Sequence, residues 1–184
     1  MSFPLHTFHS VITNRQKRFM NIVCITISII AILTALAGTF RSMKWAPAAG
    51  WCALAALTAG SAGKPGWQTI LFWGFTAAIA LSINLMLPAI VTRNNSGTPF
   101  IFGGALAGTF TGMILSQPAM IIGSVIGVAF GALAFGRTTT GRAMGFPSGR
   151  FSNYILAKGF PAIITTCLCG LSVLHIINVI QSMQ

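Results

Sequence analysis

Long apolar stretches separated by brief polar breaks run from residue 19 almost to the C-terminus. A helix needs roughly twenty predominantly apolar residues to cross hydrocarbon. By that measure the pattern predicts six hydrophobic helices, over residues 19–40, 46–62, 67–91, 100–115, 118–135 and 151–180. Residues 1–18 form a polar, basic N-terminal segment, and residues 19–184 read as a single membrane domain. Arg41 and Lys44 close the first run, and Trp45 sits where an interfacial aromatic anchors a helix. Ser61-Ala62-Gly63-Lys64-Pro65-Gly66 is a turn, and the stretch from Arg93 to Pro99 is a polar loop. Ser116-Gln117-Pro118 is a short corner whose proline suits the first turn of the next helix. Pro88 predicts a kink late in the third run, because proline lacks the backbone donor and crowds the preceding turn. The second run, about seventeen residues, stands at the lower limit for a crossing, so a full pass and a re-entrant segment both fit.

Glycine spacing singles out the fourth and fifth runs. Gly104, Gly108 and Gly112 recur every fourth residue in one, and Gly123, Gly127 and Gly131 do so in the other. Laid over each other, GALAGTFTGMIL and GSVIGVAFGALA match glycine for glycine at a spacing of nineteen residues. Such a stripe removes side chains along one helix face, so two backbones approach closely and gain dispersion contacts that lipid cannot supply. The expected architecture is an all-α, polytopic transmembrane helical bundle with a central glycine-zipper helical hairpin. The same stripe also suits zipper-mediated oligomerisation or a pore.

Composition sharpens this picture. Of 184 residues, 54% are hydrophobic and 6% charged, far from the roughly one quarter charged in soluble domains. The formal charge is +11, and no Asp or Glu occurs. That excludes carboxylate acid/base pairs, aspartyl nucleophiles, carboxylate Mg or Ca sites and carboxylate proton relays. The cations therefore face lipid phosphates, solvent or an acidic partner subunit. A nucleic-acid role does not fit, because the basic residues are scattered over membrane-flanking loops. Cys24, Cys52, Cys167 and Cys169 all fall in apolar runs and read as small core residues. Cys167 and Cys169 point about 200° apart on a helix, which suits neither a shared metal nor a redox pair. The cluster Arg15, Lys17 and Arg18, with the cleavage-like Ala35-Leu36-Ala37, has some signal-peptide character; the run from 19 to 40 is longer than a signal core and reads as a retained helix. A basic, acid-free N-terminus also fits a mitochondrial transit segment.

Candidate sites are few. Asn84 and His175 are polar groups at depth; Asn84 calls for an interhelical hydrogen bond, and His175 has Ser172 and Asn178 on its own face. Arg137, Arg142, Arg150 and Lys158, with Thr138, Thr139 and Thr140, form a basic cluster suited to anionic lipid or to setting topology. His6 and His9 alone are too few for a metal site. With no catalytic set, phosphate-binding loop or metal motif, the reading is of a protein that is not an enzyme and has no cofactor. A small transporter lined by Asn84, Thr109, Thr111, Ser124 and His175 is the alternative, and an accessory subunit of a larger complex is another. Six passes put Arg15, Lys17, Arg18 and Lys64 on one side, with Arg41, Lys44, Arg93, Arg137, Arg142, Arg150 and Lys158 on the other. A re-entrant second run would instead give eight against three. Either count leaves the cluster from 137 to 158 on the cytoplasmic side.

From Met20 to about Ile177 the order of parts resembles an uncharacterised family of small bacterial membrane proteins, domain of unknown function 456, of glycine-zipper type. The likeness is carried by Pro47-Ala48-Ala49-Gly50 after the first run, Asn84-Leu85-Met86-Leu87-Pro88 ending a later one, a polar Ser-Gly loop, and the two glycine arms around a proline corner. The resemblance implies a multi-pass protein of the bacterial inner (plasma) membrane, with a structural, interaction or assembly role. Family members often carry acids where Asn84 and Ala132 stand here, so any function of those carboxylates is missing from this chain. A second resemblance, confined to the glycine arms and Lys158-Gly159-Phe160-Pro161-Ala162, is to the eukaryotic transmembrane family fourteen, and it implies the mitochondrial inner membrane instead.

Overall fold

The computed structural model describes residues 5–41, 44–60, 65–86, 96–143 and 149–182, and the side chains within them apart from those of 5–14, 84 and 150. Every regular element among them is helical: α1 (Leu5–Phe40), α2 (Ala46–Ala56) prolonged by a 3-10 turn (Leu57–Ala59), α3 (Trp67–Met86), α4 (Thr98–Leu115), α5 (Gln117–Gly136), the short α6 (Thr139–Ala143) and α7 (Gly149–Gln181). Residues 61–64 of the expected turn, Pro88, Arg93 and the last residues of the expected third helix lie outside the described residues.

Local sequence explains the boundaries. Proline stands in the first turn of α2, α4 and α5, where its missing N–H has no intrahelical partner to lose. Ser116 alone separates α4 from α5; its backbone is extended (φ −173°, ψ 166°), and its hydroxyl accepts the Ala119 N–H at 3.3 Å. The polar N-terminal segment departs from expectation in being helical from Leu5, continuous with the first hydrophobic run. No glycine or proline interrupts residues 5–37, so nothing stops the helix where the polarity changes. Within α7, Pro161 interrupts the ladder, and the Thr165 hydroxyl donates to the Pro161 carbonyl at 2.8 Å.

Among the described residues four helices are long and apolar enough to cross a membrane: Arg15–Phe40, Thr98–Leu115, Gln117–Gly136 and Phe151–Gln181. Their outer faces carry Phe19, Leu33, Ile114 and Phe130, each more than half exposed, an apolar surface that suits lipid and not water. The helix of the expected 46–62 segment is shorter than these four and packs along the C-terminal half of α1. The Ser28 hydroxyl of α1 donates to the Ala53 carbonyl at 2.9 Å, and Gly60 packs beside the Asn21 amide, so α2 runs antiparallel back along α1. Phe102 meets Phe40 with ring centroids 6.2 Å apart, placing the start of α4 at the C-terminal end of α1. Arg41, Lys44, Arg137 and Arg142 consequently share one end of the bundle, opposite Arg15, Lys17 and Arg18.

The centre of the bundle is α7 and not, as expected, the glycine-rich pair. Its apolar window is 61% buried, against 33% for α4 and 39% for α5. It packs on α1, α2, α3, α4 and α5 and contributes to all three core clusters, through Leu168 and Leu171, through Phe151 and Tyr154, and through Cys169 and Ile176. The α4–α5 pair is peripheral, with one long side open to lipid.

Candidate functional site

The glycines of α4 and α5 face each other across an antiparallel contact. A Cβ placed on Gly104 would fall on the Gly127 carbonyl oxygen, and one on Gly108 would fall on that of Gly123. Further along the same contact Gly112 lies against the Ala119 carbonyl, and Gly131 against that of Phe100. The nineteen-residue repeat relates Gly104 to Gly123, but a one-residue corner forces the arms antiparallel, and contact then joins Gly104 to Gly127 and Gly108 to Gly123. Repeat and register are thus different relations.

On the lipid side this contact is the floor of a groove of about 520 Å³. Gly104, Gly108, Gly123 and Gly127 line it together with Ala107, Ile122, Ile126 and Phe130. Its one hydroxyl, on Thr111, donates to the Ala107 carbonyl at 2.8 Å within its own helix. A second apolar groove, about 620 Å³, lies between α2 and α3. There the Trp51 indole covers Gly74 and donates its N–H to the Ile70 carbonyl at 3.0 Å.

On the inner side α4, α5 and α7 enclose a polar junction. Ser124 Oγ lies 3.4 Å from Cys167 Sγ, and the Thr109 hydroxyl borders the same thiol. Thr109 donates to the Ala105 carbonyl and Ser124 to that of Ile121, each at 2.8 Å. The buried hydroxyls of α7 follow the same pattern: Thr166 donates to the Ala162 carbonyl and Ser172 to that of Leu168, both at 2.9 Å. Among the described residues no buried side-chain nitrogen or oxygen lacks a partner. In hydrocarbon this matters, since an orphaned polar group costs several kcal/mol.

The residues singled out as lining a transport path do not converge. Thr109 and Ser124 meet at Cys167, but Thr111 faces outward and His175 is half-buried near the end of α7. The Asn84 side chain lies outside the described residues, as does that of Arg150. Arg137 and Arg142 are exposed at the basic end, while Lys158 is half-buried about two turns into α7. No group of three or more His, Cys, Asp or Glu able to hold a metal occurs among the described residues.

Sequence reasoning passed over Tyr154. Its hydroxyl accepts the Gly97 N–H at 3.0 Å, bonding the start of α4 to α7, and its ring sits 5.6 Å from that of Phe135, which stacks on Phe151 at 6.2 Å. The signal was available: this is the only tyrosine in the chain, and a buried phenol needs a hydrogen-bond partner.

Comparison with family models, curated proteins and solved structures finds no match to this chain.

Proposed function

We propose that this chain is a non-enzymatic integral membrane protein with a structural, interaction or assembly role in the bacterial inner membrane, with a glycine-zipper helix pair at the edge of its bundle. The observation that carries the reading is the self-contained interior: buried hydroxyls on α4, α5 and α7 give their protons to carbonyls of their own helices. Among the described residues, polar groups committed in this way leave no array of donors and acceptors to take a solute across. The absence of Asp and Glu supports the same reading, since it withdraws the usual carriers of coupled transport and acid/base catalysis. The resemblance to domain of unknown function 456 belongs to this reading and rests on the order of the parts.

A second reading, an accessory subunit, is favoured by one observation: eleven Lys and Arg side chains have no side-chain carboxylate in the chain to pair with. Native purification followed by mass spectrometry of what copurifies tests both. The structural reading expects the protein to hold its fold in liposomes without passing ions or small solutes. Saturable flux abolished by His175→Ala would overturn it. Isolation as a lipid-bound homo-oligomer with no other protein would remove the accessory-subunit reading.

A further inference from the structure

We infer that Met113, Met120 and Cys167 form a binding site for one soft monovalent metal ion, cuprous copper, at the place where α4, α5 and α7 meet. Gly170 marks the position. Both thioether sulfurs fall within 4 Å of the point where a Cβ on Gly170 would stand, Met120 Sδ at 2.8 Å and Met113 Sδ at 3.9 Å. Cys167 lies one turn earlier on α7, its Cβ about 5–6 Å from that point. The Thr109 side chain joins the two levels, with its methyl 3.2 Å from the same point and its hydroxyl against the Cys167 thiol. Met120 and Cys167 are fully buried in one core cluster, and Met113 packs on it. Cys169 belongs to a different cluster, so the sulfur partners of Cys167 are thioethers and not the neighbouring thiol.

Thiolate and thioether sulfur select cuprous copper over harder divalent ions. Charge decides the same way. The chain has no Asp or Glu, so one thiolate is all the negative charge this cluster supplies. A monovalent ion displaces the Cys167 proton to water, forms one metal–thiolate bond and two metal–thioether bonds, and leaves a centre with no net charge. A divalent ion in the same place would leave a positive charge uncompensated in hydrocarbon, which is costly. The three rotatable bonds of each methionine let both sulfurs close on the ion without moving a helix. Entry is short, because Met113 is half-buried and both methionines stand in the turns that flank exposed Ser116 and Gln117.

Core packing is the competing account, since methionine and cysteine both fill gaps in interiors. Volume-conserving variants separate the two. The full chain, carrying Cys52→Ala to remove the exposed thiol, is loaded in detergent with one equivalent of Ag(I), a redox-inert stand-in for Cu(I), and challenged with free methionine. Native mass spectrometry counts the silver retained. One ion per chain is expected. Met113→Leu and Met120→Leu should each weaken retention at least about tenfold, the lower end of the loss when even an outer-shell partner of a metal is removed. Cys167→Ala should abolish it, while Cys24→Ala and Cys169→Ala should leave it unchanged. X-ray absorption of the Cu(I)-loaded protein should show three sulfur neighbours, and two after either methionine change. The Met→Leu changes conserve volume and keep the fold, which circular dichroism checks. Failure to retain silver, or retention that neither Met→Leu change weakens, overturns the proposal. So does retention that depends on Cys24 or Cys169 instead of Cys167, or Zn(II) held as firmly as Ag(I).

Discussion

Adding one methyl group to two glycines on the same helix should change stability in opposite directions. At Gly108 a Cβ would land on the Gly123 carbonyl oxygen, which is backbone and has no rotamer to move into. An ordinary carbon–oxygen contact of about 3.4 Å then requires the helices to part by on the order of 1 Å. A gap of 0.5–1 Å forfeits roughly a quarter to a half of each dispersion contact it opens, and in lipid no hydrophobic force compensates. Gly108→Ala is therefore expected to cost about 2 kcal/mol, within the range for overpacking a tight contact, and Gly108→Leu about 3 kcal/mol or more. At Gly103 nothing lies within 4 Å of the added atom. There Gly→Ala relieves only the backbone entropy cost of a helical glycine and should stabilise by about 0.5–1 kcal/mol. Reversible unfolding in mixed micelles, titrated with SDS and followed by circular dichroism, measures both. If Gly103→Ala and Gly108→Ala shift the midpoint equally, the close backbone contact is not what holds α4 to α5.

Other expectations follow from single contacts. Gly127→Ala meets the Gly104 carbonyl and should match Gly108→Ala in the same titration, whereas Gly149→Ala, with open space around it, should not destabilise. Tyr154→Phe leaves the Gly97 N–H without its acceptor and should cost about 1–2 kcal/mol; a melting temperature equal to wild type would remove the bond from the account. Trp51→Phe loses the donor to the Ile70 carbonyl and should cost about 1 kcal/mol, read by loss of thermal stability in detergent. Of the cysteines, Cys24, Cys167 and Cys169 are buried within the bundle, so N-ethylmaleimide should leave these three unlabelled in the folded protein and reach all four cysteines after SDS denaturation, counted by intact mass. Rapid labelling of Cys167 in the folded state would contradict the packing of α7.

Much of the local structure was legible in the chain. Proline at 47, 99 and 118 marks helix starts, Ser116 marks a corner, and the apolar runs mark the helices. The glycine stripe named the residues that face each other between α4 and α5, though its internal repeat did not give their register. The groove was not legible, because it depends on which side of the α4–α5 pair α7 covers. Neither Tyr154 as the bond between α4 and α7 nor the meeting of Ser124 with Cys167 follows from spacing, since the partners stand 57 and 43 residues apart.

Sequence alone determined that this is an apolar, acid-free, helical chain and where α2, α4 and α5 begin, since helix length, proline and charge act locally. Tertiary structure alone decided that α7 is the central helix, that the glycine pair is peripheral, and that α2 runs antiparallel along the C-terminal half of α1. The physical reason is the solvent. In water a helix advertises its buried face by hydrophobic periodicity, but lipid is as apolar as the core, so both faces of α7 and both faces of α5 read alike. What distinguishes them is which surfaces fit closely, and that is settled only when the helices meet.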